Sequence, residues 1–135
     1  MIVLDASAAV ELLLGRPGAE AVREWLARPG ESLHAPHLLD LEIASVLRRE
    51  AGAGRLNERR AREEFQDFAD LPIVRYPHDL LLPRVWGLRP HVTAYDAAYV
   101  ALAEALDGTL LTLDRRLART NGHRARVEVV GDPVV

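Results

Sequence analysis

The sequence predicts an α/β protein, a three-layer α/β/α sandwich around a mostly parallel sheet, and three observations carry that expectation. Short apolar runs of strand length alternate with longer segments of helical period, as strands joined by helical crossovers do. Two of these runs, IVLD and LLTLD, close on an aspartate in the same relative place. The clearest helical segment, TAYDAAYVALAEALDG, leads directly into the second of them.

In chain order, Ile2 to Leu4 reads as a buried strand, and AAVELLL continues it as a helix. Arg16-Pro17-Gly18 interrupts the chain, and Pro17 is placed to start a second helix through Leu26. Ser32 to Ala35 is a short strand before Pro36. HLLDLEIASVLRRE is a helix stopped by AGAG, and Asn57 caps another that runs to about Asp70. PIVRYP is a strand bounded by Pro72 and Pro77. DLLLPRVWGL carries Pro83 inside a helical pattern, which shortens or kinks it. Thr93 is a natural N-cap for the alanine-rich helix, and Asp107-Gly108 ends it. TLLTLD is a buried strand, RRLAR one or two helical turns, and RVEVV a final strand.

The 135 residues, with no repeat and no linker-like stretch, are read as one domain over 1–135, long enough to bury about two thirds of the unfolded surface. With 49 % hydrophobic and 27 % charged residues, wholesale disorder is excluded. The absence of cysteine excludes thiol nucleophiles, disulfides and cysteine-ligated zinc or iron–sulfur sites. No apolar run reaches spanning length, so the expectation is a cytoplasmic protein without membrane contact. All 17 basic residues are arginine, a pattern that GC-rich coding accounts for; it also removes any mechanism that needs a lysine. A net charge of −3 does not advertise a nucleic-acid binder.

The chemistry-bearing residues are acids. Asp5 and Asp114 each follow an apolar strand, and on parallel neighbouring strands both would emerge at one edge, where α/β sheets place their sites. Each also fits a turn residue or helix N-cap, and their recurrence weighs against that reading alone. Asp96 stands three residues after Thr93, which is a passable capping box as well as a carboxylate in a first helical turn. Glu42 lies within roughly 60° of the apolar direction of its helix, whereas its neighbour Asp40 is about 100° off. An inward glutamate is costly unless a positive group meets it.

If these four acids share a pocket, something must neutralise it, because two carboxylates about 4 Å apart repel by about 4 kcal/mol at an effective dielectric near 20. All-oxygen donors suit Mg²⁺ or Mn²⁺ rather than zinc, and such ions are the usual apparatus of phosphodiester hydrolysis. Ser7 and Thr112, each two residues from one of the aspartates, offer hydroxyls to orient a carboxylate or a ligated water.

These segments resemble the PIN-domain ribonucleases, and within them the VapC-type toxins of bacterial toxin–antitoxin pairs. The resemblance covers nearly the whole chain and rests on LDASA, LLDLEIASVLRR, TAYDAAYVALAEAL and TLLTLDRRL. It implies a small α/β/α sandwich, Mg²⁺- or Mn²⁺-dependent cleavage of RNA, a homodimer, and inhibition by a cognate VapB-like antitoxin. Asp5, Glu42, Asp96 and Asp114 match the family's acids in that order, and Ser7 and Thr112 its frequent polar neighbours.

Arg115, Arg116 and Arg119 follow Asp114 and are candidates to hold RNA phosphates, with ordinary surface solvation as the rival. Arg48, Arg49, Arg55, Arg59, Arg60 and Arg62 alternate with glutamates, which predicts a salt-bridged surface or a protein-partner face. His34 and His37 are expected in a loop, and Trp25, Trp86, Tyr95 and Tyr99 in core or interface packing.

A phosphoryl-accepting receiver or phosphatase is disfavoured, since both normally need a lysine and the latter Asp-x-Asp where Asp5-Ala6-Ser7 stands. The remaining alternative is a non-catalytic binding protein with a structural divalent cation, which leaves the cost of Glu42 unexplained.

Overall fold

The structure is a computed structural model that describes residues 1–131. β1 (Ile2–Leu4) leads into α1 (Ala6–Leu13) and α2 (Ala19–Leu26), then β2 (Leu33–Pro36), α3 (Leu38–Gly52), α4 (Glu58–Asp70) and β3 (Ile73–Tyr76). α5 (Leu82–Gly87) and α6 (Ala94–Leu106) follow, then β4 (Thr109–Thr112), α7 (Arg115–Ala118) and β5 (Arg126–Val129). The five strands form one sheet in the order β3-β2-β1-β4-β5, and every pairing is parallel.

The expected α/β/α sandwich is the architecture found. Right-handed crossovers from β1 to β2 and β2 to β3 put α1 to α4 on one face, and the return from β3 to β4 puts α5 and α6 on the other. The direction of winding reverses between β1 and β4, so a crevice opens at their carboxyl ends. Leu4 is in register with Leu111, and Asp5 N–H donates to Leu111 O at 3.3 Å. That register is what delivers Asp5 and Asp114 to the same edge.

β1 is wholly buried, as are Leu110 and Leu111 beside it. Parallel strands covered on both faces read as continuous apolar runs, which is why IVL and TLL carry no alternation. On α6, Ala97 to Ala103 are buried without interruption, so this helix is surrounded rather than amphipathic, and its alanines admit close approach to the sheet. The turn out of α6 is tight: Asp107 adopts φ 50°, and a Cβ on Gly108 would meet Met1 O at 2.8 Å. Asp107-Gly108 therefore stops the helix and starts β4 with no intervening loop.

Several local expectations shift. α2 begins at Ala19, two residues beyond Pro17, with Gly18 at its N-cap. α3 runs through Ala51-Gly52 before the glycine-rich turn ends it. Pro83 falls in the first turn of α5, where its missing N–H costs nothing, and it shortens the helix rather than kinking it. His34 is not in a loop: it is buried within β2, with Nε2 2.7 Å from Ser32 Oγ and Nδ1 2.7 Å from Tyr76 OH. Trp86 and Tyr95 are 69 % and 66 % exposed, so neither packs into the core. Among the described residues no helix is long and apolar enough to cross a membrane.

Candidate metal centre

Asp5 is the N-cap of α1, and its Oδ1 accepts from Ala8 N–H at 3.0 Å and from Ser7 Oγ at 2.6 Å. The turn role is therefore real, yet the side chain is also buried at the crevice. Burial pushes its carboxyl above the usual range, bonds from Ser7, Thr112 and Ala8 pull it back, and the charge of Asp96 raises it again. Ser7 does more than orient Asp5. Its Oγ accepts from Leu113 N–H at 2.9 Å and stands 3.4 Å from Thr112 Oγ1, so it ties α1 to the end of β4. Thr112, fully buried, accepts from Asp114 N–H at 3.0 Å.

Asp114 caps α7 by accepting from Arg116 N–H at 2.9 Å, and Arg116 Nε stands 3.5 Å from the same oxygen. Thr93 Oγ1 accepts from Asp96 N–H at 3.2 Å, which places the Asp96 carboxylate in the first turn of α6. Burial raises the Asp96 carboxyl, and the Asp114 charge raises it further against smaller opposing effects of Thr93 and Arg116.

Glu42 is half-buried on α3 and faces the crevice, as its helical phase predicts. What meets it is not a cation. Tyr99 on α6, 2 % exposed, donates its hydroxyl to Glu42 Oε1 at 2.5 Å. Burial raises the Glu42 carboxyl, Tyr99 lowers it, and Asp5 and Asp96 raise it again. Asp40, two residues away, points elsewhere: Arg75 Nε stands 2.8 and 3.0 Å from its two oxygens.

Four acids from four elements thus act on one another through a common field, Asp5 with Asp96, Glu42 with both, and Asp96 with Asp114. Among the described residues, no three His, Asp or Glu side chains converge closely enough to hold a metal ion as they stand. The donor set nonetheless fits a hard divalent cation: all oxygen, mutually repelling, and with no lysine or ion-paired arginine on Glu42. Ser7, Glu42 and Tyr95 also line a cleft of about 910 Å³, together with Arg16, Arg48 and Arg49.

The basic stretch divides as the alternating charges predict. Arg55 pairs with Glu50, Arg59 with Glu63 and Arg60 with Glu64, so that half of the stretch is salt-bridged surface, whereas Arg48 and Arg49 line the cleft. Tyr99 is the residue that sequence reasoning missed, because a tyrosine in an apolar helix reads as packing. Its signal was available: a buried phenol needs a partner, and Tyr99 lies one turn after Asp96 on the same side of α6.

The PIN domain pattern matches residues 2–122. A VapC ribonuclease of Mycobacterium bovis is 46 % identical over 96 % of this chain and 98 % of its own length. Ribonuclease VapC12 of Mycobacterium tuberculosis is 42 % identical over 96 % of this chain and 99 % of its own. Among solved structures, VapBC2 from Rickettsia felis bound to a DNA fragment from its promoter superposes with a TM-score of 0.69 at 13 % identity, covering 96 % of this chain and 99 % of that one, which shows the shared fold. The chain belongs to the PIN-domain family, among the VapC ribonucleases.

Proposed function

We propose that this protein is a divalent-metal-dependent endoribonuclease and the toxin of a VapBC-type pair, with residues 1–135 forming one nuclease domain. The observation that carries the reading is the quartet Asp5, Glu42, Asp96 and Asp114 at the carboxyl end of β1 and β4, where burial first and neighbouring carboxylates second raise the carboxyls of Asp5, Glu42 and Asp96. Near-full-length relatives carrying the name VapC ribonuclease support RNA as the substrate.

In this reading the four acids hold Mg²⁺ or Mn²⁺. A bound cation would supply Lewis acidity and make water a stronger nucleophile there. The reaction is hydrolysis, in which water adds at phosphorus and the bond to the leaving oxygen breaks. Ser7 keeps Asp5 turned toward the crevice through bonds to its Oδ1 and to Leu113 N–H. Thr112 fixes the start of α7 through Asp114 N–H. Arg115, Arg116 and Arg119 beside Asp114 hold phosphates of the strand.

A VapB-like antitoxin and a second copy of the chain are the protein partners of this reading, and the cytoplasm is its place of action. Exposed Leu80, Leu82 and Trp86 on and before α5 support a protein contact there.

The test is cleavage of structured RNA with Mg²⁺ or Mn²⁺, with EDTA, and with Asp5→Asn or Asp96→Asn. Cleavage lost on chelation and in both variants is expected. Cleavage that survives both overturns the mechanism, and cation binding without cleavage of any RNA leaves the structural-cation alternative. Growth arrest on expression, relieved by the small neighbouring gene, tests the toxin role.

A further inference from the structure

The acids of this protein divide by what partners them. Asp40 is held by Arg75, Glu50 by Arg55 and Arg16, Glu64 by Arg60, and Glu104 by Arg84. Each of those acids has a guanidinium as its partner, as Asp114 has more loosely in Arg116 at 3.5 Å. Glu42, in the crevice, is held by a neutral phenol. A phenol can fix a carboxylate's rotamer without cancelling its charge, whereas an arginine in that place would occupy the site electrostatically.

We propose that Tyr99 is a positioning residue for the metal centre: its hydroxyl holds Glu42 Oε1 at 2.5 Å and leaves Oε2 as the oxygen offered to the cation. The proposal rests on the metal-dependent reading above. Three features of the geometry support it. The bond joins α3 to α6, the two helices that bring Glu42 and Asp96 in from opposite faces of the sheet. Tyr99 is one turn beyond Asp96, so a single helix presents one ligand and aims another. The ring is buried, 2 % exposed, within the hydrophobic core cluster, so packing rather than solvent sets where the hydroxyl stands. Residues that orient ligands in this way change metal affinity by roughly 10–100-fold when removed.

Tyr99→Phe keeps the ring and deletes the hydroxyl. Mn²⁺ binding, read from the electron paramagnetic resonance signal of the free aquo ion, is expected to weaken by roughly tenfold or more in this variant. In a Glu42→Ala background the same change is expected to alter the dissociation constant less than about twofold, because the hydroxyl has nothing left to aim. A Tyr99→Phe dissociation constant equal to wild type, or an equal loss in both backgrounds, overturns the proposal. A second measurement needs no substitution at the site. The chain has 3 tyrosines, so 3-fluorotyrosine labelling yields three ¹⁹F resonances, assigned with Tyr76→Phe and Tyr95→Phe. Mg²⁺ is expected to move the Tyr99 resonance saturably and leave that of Tyr76, which bonds His34, in place. A Tyr99 resonance that Mg²⁺ does not move sinks the proposal even if Tyr99→Phe fails to fold. A wild-type chain that binds neither ion overturns the metal reading and the role of Tyr99 together, whereas normal binding with an indifferent Tyr99 overturns the role alone.

Discussion

Arg75 on β3 closes on Asp40 of α3, with Nε 2.8 and 3.0 Å from the two carboxylate oxygens, while Glu42 two residues further along the same helix is held, among the described residues, by the phenol of Tyr99. Two neighbouring acids are thereby given different fates by about 100° of helical rotation per residue. Asp40 becomes a strut between α3 and β3, and Glu42 keeps its charge in the crevice.

That difference predicts opposite outcomes for two conservative substitutions. Asp40→Asn is expected to leave cleavage within about twofold of wild type and to cost no more than about 1 kcal/mol of stability, since both partners are partly exposed. Glu42→Gln is expected to remove cleavage while leaving the fold intact. RNA cleavage and urea denaturation of the two variants side by side check this.

The crevice acids also fix a sign for pH. Asp5, Glu42 and Asp96 all have carboxyls raised by burial first. A group raised on folding contributes stability that is complete below its unfolded pKa and lost as pH rises through its folded one. Without a cation, these three acids therefore oppose folding at neutral pH. Asp5→Asn keeps an N-cap side chain for α1 and removes one charge. Its metal-free Tm is expected to exceed that of wild type at pH 7, and the difference to vanish as pH falls toward the ordinary carboxylate range. A scan of Tm against pH for both proteins decides it.

Cation binding should reverse that order. A ligand that binds only the folded state stabilises by about 2.7 kcal/mol at one hundred times its dissociation constant. Saturating Mn²⁺ is expected to raise the Tm of wild type and to raise that of Asp96→Asn far less. Equal shifts would place the bound ion outside the crevice.

Ser7→Ala removes a donor to Asp5 and the acceptor of Leu113 N–H in one step. A part-buried N–H left without its partner costs about 1–3 kcal/mol, so a loss of that size in urea unfolding is expected. Cleavage should fall as well, because the same hydroxyl aims Asp5.

Away from the crevice, Arg84 holds Glu104 through two bonds, at 2.7 and 3.0 Å, and Glu104 also accepts from Arg124 N–H at 2.9 Å. The Glu104 side chain is 3 % exposed and that of Arg84 is 40 %, so Arg84→Met strands a buried carboxylate whose former partner was partly solvated. Destabilisation of about 2–3 kcal/mol is expected, with cleavage per folded molecule unchanged.

Much of this protein is legible in the chain alone. Apolar runs of strand length, the caps at Asn57 and Thr93, and the Asp107-Gly108 stop each depend on local geometry, and each reappears in the structure. The acids could be picked out for the same reason: strand ends and helical phase are local properties, and they place Asp5, Asp114 and Glu42 without knowledge of the rest. The errors are equally local in origin. His34 drew two local expectations, a residue of the strand Ser32 to Ala35 and a loop histidine beside Pro36, and pairing with β1 and β3 decides for the strand.

What the sequence by itself determined was which residues could carry charge to the carboxyl edge of a parallel sheet. Which of them keep that charge was decided only by tertiary structure. Asp40 and Glu42 are two residues apart, and the partners that separate them, Arg75 and Tyr99, lie on β3 and α6. Whether a carboxylate is neutralised by a guanidinium or held open by a phenol depends on side chains that meet across the fold, over distances at which sequence spacing carries no information.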